Sequence, residues 1–340
     1  MNPVAVRLVL LTAAAPAVWG STYVVTTVAL PANHPLWSGA LRALPAGLIA
    51  LLLGRTLPRG SWWWKSLVLG ALNIGAFFPL LFVAAYLLPG GVAAIFGASQ
   101  PLLVAGLALM LLGERPTTWR LGWGVAGVLG VALMVLGPEA ALSASGVLAG
   151  LASTASMAVG TVLSKRWGRP AGPSAYTGWL LTAGGLLIVP AALLLEGAPP
   201  RLDAAAAAGY TWLSLVGALL AYTLWFRGVG QMPAGAVSFL PLVSPLVAAV
   251  LGWVVLAEGL THVQGAGFAL ALVAVAAAQQ TPTSRPGRTA TTARAVASRR
   301  QPEVSLGPLP VPSVPSVLPL LVDSVAARPS PSSDCSCCWK

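Results

Sequence analysis

The chain has 340 residues, 57% of them hydrophobic and only 8% charged, with a formal net charge of +11 and a mean hydropathy of +0.83. Soluble domains carry about 25% charged residues, so a water-exposed fold of this length could not cover its surface, and lipid is the expected solvent. The basic excess lies in short gaps between apolar runs and in the C-terminal tail, which fits membrane topology and argues against a nucleic-acid surface.

About 20 apolar residues are needed to span a bilayer as a helix. Ten such stretches are predicted, at 4–28, 35–54, 66–87, 90–112, 119–137, 145–164, 174–195, 206–228, 234–256 and 262–280. The first is too long for a signal-peptide core and is followed by others like it, so it is read as a span. Charges punctuate the series: none occurs between Lys65 and Glu114 or between Arg227 and Glu258. The first of those intervals holds two helices and the tight turn Leu88-Pro89-Gly90-Gly91. Gaps this short make neighbouring helices antiparallel hairpins.

With ten spans, Arg7, Arg55, Arg59, Lys65, Arg115, Arg120, Lys165, Arg166, Arg169 and Arg227 fall on one face. The loops of the other face hold Arg201 beside Glu139, Glu196, Asp203, Glu258, His34 and His262. The positive-inside rule then places both termini in the cytoplasm of a plasma-membrane protein.

The segment Pro89–Thr117 returns without a gap as Pro233–Thr261, with nine of 29 positions identical. Pro89/Pro233, Gly91/Gly235, Pro101/Pro245, Leu102/Leu246, Glu114/Glu258 and Thr117/Thr261 keep their spacing. A weaker echo pairs Val18-Trp19-Gly20-Ser21 with Ala158-Val159-Gly160-Thr161. Five helices separate the two copies, and an odd number reverses direction. The expected fold is therefore an all-α polytopic membrane protein whose ten transmembrane helices form two inverted five-helix repeats, residues 1–138 and 139–280. Residues 281–340, rich in Thr, Ser, Pro and Arg, are expected to be a disordered cytoplasmic tail. The chain's three cysteines, Cys335, Cys337 and Cys338, lie in its last six residues, so no disulfide framework holds the body.

Candidate residues follow from what the bilayer makes costly. Pro101 and Pro245 sit at the centres of the fourth and ninth spans, where each frees the carbonyl four residues earlier, that of Gly97 or Pro241. Matching breaks in matching helices point to a transport site, and Ser99, Gln100 and Ser244 flank them. Arg42 is the one charge deep within a predicted span, about 10 Å from the outer face by the helical rise. It is a candidate to bind carbonyls at a broken helix or an anionic substrate, or to reach outward to headgroups. Trp19, Ser21, Tyr23, Asn73, Phe77, Ser156 and Tyr222 supply further aromatic and polar groups inside spans, suited to a small molecule with apolar and polar parts. Tyr86, Ser153, Trp179 and Trp225 belong to the same set. Glu114 and Glu258 end the fourth and ninth spans at opposite faces, as gates or as caps held by a backbone N–H or an arginine. Trp62, Trp63 and Trp64 read as interface anchors. Gly122, Gly127, Gly130, Gly265 and Gly267 serve packing, or dimerisation by the terminal helices, rather than chemistry.

Trp19-Gly20-Ser21-Thr22-Tyr23, Arg42, the run from Pro101 through Leu112-Gly113-Glu114-Arg115-Pro116, and the duplicated Pro245 to Glu258 occur in an order that resembles the EamA branch of the drug/metabolite transporter superfamily. The resemblance covers residues 4–280. It implies a ten-helix bundle that moves small metabolites, amino acids or drugs across the plasma membrane, often outward, with no cofactor or metal. Many relatives carry a lysine shortly after the first motif, where this chain has Thr26 and Thr27, so a lysine-dependent step is not implied.

The reading is a secondary transporter of small organic solutes. The missing mid-membrane carboxylates favour facilitated diffusion or exchange over proton antiport. A phosphosugar or nucleotide-sugar carrier would want several cavity cations, and only Arg42 qualifies. A lipid-modifying enzyme would need paired carboxylates, a histidine cluster or an activated nucleophile, which the residues do not supply.

Overall fold

The computed structural model describes residues 3–88, 96–135, 143–256 and 261–280. The turn at Pro89–Gly91, Glu139, Glu258 and the tail with its three cysteines lie outside the described residues. Every described element is helical. In order they are α1 (Pro3–Ala29), α2 (Pro35–Gly54), α3 (Trp62–Gly70), α4 (Phe77–Leu87), α5 (Gln100–Leu112), α6 (Thr118–Val135), α7 (Ala144–Trp167), α8 (Pro173–Leu195), α9 (Ala204–Ser214), α10 (Ala221–Gln231), α11 (Ala234–Val237), α12 (Val243–Leu256) and α13 (His262–Ala278). Among the described residues, seven helices are long and apolar enough to cross a membrane, with shorter apolar helices at Phe96–Leu112 and His262–Ala278. This is a multi-pass membrane protein, and its exposed surface is accordingly aliphatic, with Leu52, Leu194 and Met110 more than 70% exposed.

Two long helices carry a wider turn in the middle. A π-helical segment, Ala71–Ala76, joins α3 to α4, and another, Leu215–Leu220, joins α9 to α10. The second begins 144 residues after the first, the offset that aligns the two proline-bearing segments. A π turn inserts one residue into the helical ladder and turns carbonyls away from their usual partners.

The proline segments break rather than bend. Helical Phe96–Ala98 is interrupted at Ser99, and α5 restarts at Gln100, which places Pro101 in its first turn instead of mid-helix. There the missing N–H removes no intrahelical bond. The Ser99 backbone N–H and Oγ both donate to the Phe96 carbonyl, at 3.0 and 2.6 Å. In the second copy α11 ends at Val237, a 3-10 turn runs Leu240–Leu242, and Pro245 lies in the first turn of α12.

Packing pairs α2 with α8, α6 with α13, α1 with both α10 and α12, and α7 with both α4 and α5. The α2–α8 contact depends on close backbone approach: a Cβ on Gly47 would stand 2.5 Å from the Thr182 amide nitrogen. In lipid, association rests on such close packing, because tails are as apolar as leucine. Gly130 of α6 meets α13 in the same way, where a Cβ would fall 2.7 Å from the Ala271 nitrogen, whereas Gly122 and Gly265 face open space. The largest buried cluster, including Trp37, Phe78, Tyr176, Trp225 and Phe226, joins α2, α4, α8 and α10.

Carboxylates tie helix starts to distant helix ends. Glu196, at the C-terminus of α8, accepts from the Leu36 and Trp37 backbone N–H groups at 2.6 and 3.0 Å, while Trp37 Nε1 donates to the Gly197 carbonyl at 3.0 Å. Glu114, after α5, accepts from the Ala234 N–H at 3.1 Å, at the start of α11. Each carboxylate thus sits on the electropositive end of another helix, which offsets its own unfavourable position at a helix C-terminus.

Candidate functional site

Between α1, α2, α4, α7, α10 and the two broken segments lies a cavity of about 390 Å³. One stripe of α1 forms a wall. Trp19, Thr22, Tyr23, Thr26 and Leu30 recur at spacings of three and four residues, so they share a helix face. Ser21 is off that stripe: it accepts from Trp212 Nε1 at 2.9 Å and donates to the Val18 carbonyl at 2.7 Å. Close contact of α1 with α12 needs Gly20, since a Cβ there would lie 2.6 Å from the Ser244 carbonyl oxygen. That approach brings Ser244 and Pro245 to the cavity wall.

Arg42 reaches the cavity from α2 and is only 2% exposed. Its Nη2 donates to the Gly217 carbonyl at 3.2 Å, and its guanidinium carbon stands 4.6 Å from the centre of the Phe78 ring. The same carbonyl accepts from Trp19 Nε1 at 3.0 Å. Gly217 lies inside the second π turn, so the irregular turn presents an oxygen to side chains of two other helices. The first π turn is used alike: the Leu72 carbonyl accepts from Ser156 Oγ of α7 at 2.8 Å. Asn73 is fully buried beside it, with Nδ2 donating to the Leu69 carbonyl at 2.9 Å, and it packs on Gly160.

Trp19, Tyr23, Arg42, Phe77, Gln100, Tyr222, Ser244 and Pro245 therefore line one cavity. Ser21, Asn73, Ser99 and Ser156 make hydrogen bonds between or within helices and are not among its lining residues. Pro101 and Glu114 border a separate small recess near Arg120. Gly97 and Pro241, four residues before the two matched prolines, both line the cavity.

Sequence reasoning passed over Thr22, Leu81, Phe82, Thr154 and Met157, which also line it. The i, i+3, i+4 stripe on α1 was a usable signal for Thr22. The α7 residues offered none, because an apolar helix in lipid has no solvent face to compare with.

The cavity extends toward the end of α1 and the following turn, through Leu30, Ala32 and Tyr86. Tyr222 on its wall belongs to a cluster of aromatic rings. Tyr222 packs on Trp19 and Phe226 at centroid distances of 4.9 and 5.7 Å, and Tyr176 packs edge-on to Phe226 at 5.3 Å. Lys165 Nζ donates to the Met232 carbonyl at 2.5 Å.

Comparison with known proteins agrees with this architecture. A profile described as the EamA-like transporter family matches residues 6–136 and 144–278. The chain is 47% identical over 255 residues to protein PecM of Dickeya dadantii, covering 74% of this chain and 86% of that protein. It is 30% identical over 270 residues to the uncharacterized inner membrane transporter YedA of Escherichia coli K12, covering 76% and 86%. A chloroplastic WAT1-related protein of Arabidopsis thaliana is 29% identical over 273 residues, covering 76% and 66%. A solved crystal structure superposes with a TM-score of 0.69 at 18% identity, over 80% of this chain and 96% of its own, which bears on the fold alone.

Proposed function

We propose that this chain, which belongs to the EamA-like transporter family, moves small organic solutes across the plasma membrane by alternating access between two inverted five-helix halves. The observation that carries the reading is the cavity wall itself. Arg42, Phe77 and Gln100 come from the first family-matched stretch, and Thr154, Tyr222 and Ser244 from the second. A site at the seam of two halves is where rocking of one half on the other changes access.

Three features support an inverted repeat of five plus five spans. The helix pairings persist when each helix is exchanged for its counterpart five spans away: α1 on α12 becomes α7 on α5, and α1 on α10 becomes α7 on α4. The pairs α2–α8 and α6–α13 map onto themselves. The π turns occupy equivalent positions in the third and eighth spans. Under this topology both termini are cytoplasmic and the cavity opens outward, with the Tyr176–Tyr222–Phe226 rings as the closed inner gate. Export is the direction proposed, with substrate loaded from the cytoplasm after those rings part. The residues proposed to contact substrate are Trp19, Tyr23, Arg42, Phe77, Gln100, Tyr222 and Ser244, and the breaks ahead of Pro101 and Pro245 leave Gly97 and Pro241 on the cavity wall.

Single-cysteine labelling in cells, on a background lacking Cys335, Cys337 and Cys338, tests the topology. Asn33→Cys and His262→Cys should react with an impermeant reagent from outside, and Gly168→Cys only after permeabilisation. All three on one face would overturn the scheme. Transport itself is tested by uptake of a broad solute panel into proteoliposomes against empty vesicles.

A further inference from the structure

We infer that the substrate of this cavity is an organic monoanion with a flat apolar body, an aromatic carboxylate being the simplest member of the class. The inference rests on the transport reading above and narrows its substrate.

The argument begins with charge. Arg42 is the one charged side chain among the described residues lining the cavity. Its partners, the Gly217 carbonyl and the Phe78 ring face, orient the guanidinium without neutralising it. The carboxylates of Glu196 and Glu114 are engaged at the starts of α2 and α11. A buried charge without a counter-charge is costly until a partner arrives. Among the described residues, the cavity therefore carries a positive charge that no carboxylate matches.

The unpartnered polar atoms point the same way. Arg42 and Gln100 line the cavity and are 2% and 4% exposed, and Arg42 Nε and Gln100 Nε2 are buried with no hydrogen-bond partner among the described residues. Both atoms can only donate. Thr22 and Thr26, whose hydroxyls are also buried without partners among the described residues, line the same cavity. A ligand that satisfies two obligate donors and a cation must present acceptors and negative charge. A single guanidinium matches one negative charge, whereas a phosphate ester would need more. The remaining wall is formed by the rings of Trp19, Tyr23, Phe77 and Tyr222, which accept a planar apolar body. The volume of about 390 Å³ suits a molecule of small-drug size.

The test uses three probes that differ in charge and little in shape: 1-naphthylacetate, 1-naphthylacetamide and 1-naphthylethylamine. Uptake of each is measured in proteoliposomes of the full chain, and binding is followed by thermal stabilisation in detergent. The acid should act at roughly 10- to 100-fold lower concentration than the amide, the range for a charge-assisted hydrogen bond. The amine should neither enter nor compete. Arg42→Gln should abolish the preference for the acid over the amide, whereas Gly265→Ala, which faces open space away from the cavity, should keep the wild-type ranking. If that variant does not fold, the wild-type ranking decides alone. Equal handling of acid and amide, preference for the amine, or an acid preference that survives Arg42→Gln would each overturn the monoanion. Uptake of the amide or amine without the acid would sink this inference and leave transport standing. If neither these probes nor a wide panel of neutral and cationic solutes crosses faster than in empty vesicles, both readings fall.

Discussion

Arg42 Nη2 lies 3.2 Å from the carbonyl oxygen of Gly217, an oxygen that a π turn in the middle of a long helix leaves available. Through this one atom α2 is tied to the irregular centre of the eighth predicted span, and Trp19 of α1 joins it at 3.0 Å. The cavity wall is set where three helices meet on a single acceptor.

Removing the guanidinium takes away both a positioning bond and the cavity's charge. Arg42→Ala is expected to reduce uptake to the level of empty vesicles while the protein still reaches the membrane, because the truncation strands no counter-charge among the described residues and gives up about 1.5–3 kcal/mol for its bond to the Gly217 carbonyl. Arg42→Lys keeps the charge but not the planar fork, so partial uptake should remain. Membrane-fraction immunoblots beside the transport assay separate function from folding. Full uptake by the alanine variant would remove Arg42 from the site.

Trp19→Phe keeps a ring on the cavity wall and deletes the donor to Gly217. The expected loss is about 1 kcal/mol for one neutral hydrogen bond, read as a melting temperature lower by about 2–4 °C in detergent. Uptake should survive with a raised KM. An unchanged melting temperature would mean that Arg42 alone satisfies the carbonyl.

Glu196 holds the first turn of α2 through two backbone N–H groups. Glu196→Ala should lower stability by about 1–3 kcal/mol, because it leaves those groups and a helix dipole uncompensated. Glu196→Gln, which still accepts but carries no charge, should fall between the two. Thermal unfolding of the three purified proteins checks the order.

Close packing of α2 on α8 leaves no room at Gly47. Gly47→Val is expected to abolish a monodisperse size-exclusion peak, while Gly265→Ala, in open space, should be neutral or slightly stabilising. Equal behaviour of the two would mean that the helices separate more easily than the contact distances imply.

No aspartate, glutamate or histidine is among the described residues lining the cavity, so no carrier group for a proton is evident there. Uptake of an anionic substrate should then move net charge. An inside-positive potential set by valinomycin and potassium should accelerate it, since about 2.3 kcal/mol per 100 mV acts on each charge moved. Acceleration by a pH gradient with no response to potential would point to a proton-coupled step instead.

Much of this was legible in the chain. Apolar runs of spanning length, their charge punctuation and the repeated Pro-Leu and Glu-x-x-Thr spacing indicated a polytopic helical protein with a duplicated core segment. Arg42 stood out because an unpaired cation is costly in lipid wherever it points. The same bilayer blurs everything else. In water, a helix shows its buried face by contrast with its polar one; here both faces are apolar, so Thr154 and Met157 on α7 gave no sign of facing the cavity, and Ser21 looked no different from its cavity-facing neighbours.

The sequence determined by itself what the chain dissolves in, which follows from composition, but not which prolines break a helix, since Pro16, Pro45 and Pro190 lie inside unbroken helices. Only the tertiary structure decided which carbonyl meets Arg42, which carboxylates cap which helices, and that two π turns supply the acceptors. Pro79 lacks the N–H that would bond the Gly75 carbonyl within Ala71–Ala76, whereas Leu215–Leu220 has no proline behind it to demand the wider turn. It appears where packing against α1, α2 and α7 supplies side-chain donors for the oxygens that the turn releases.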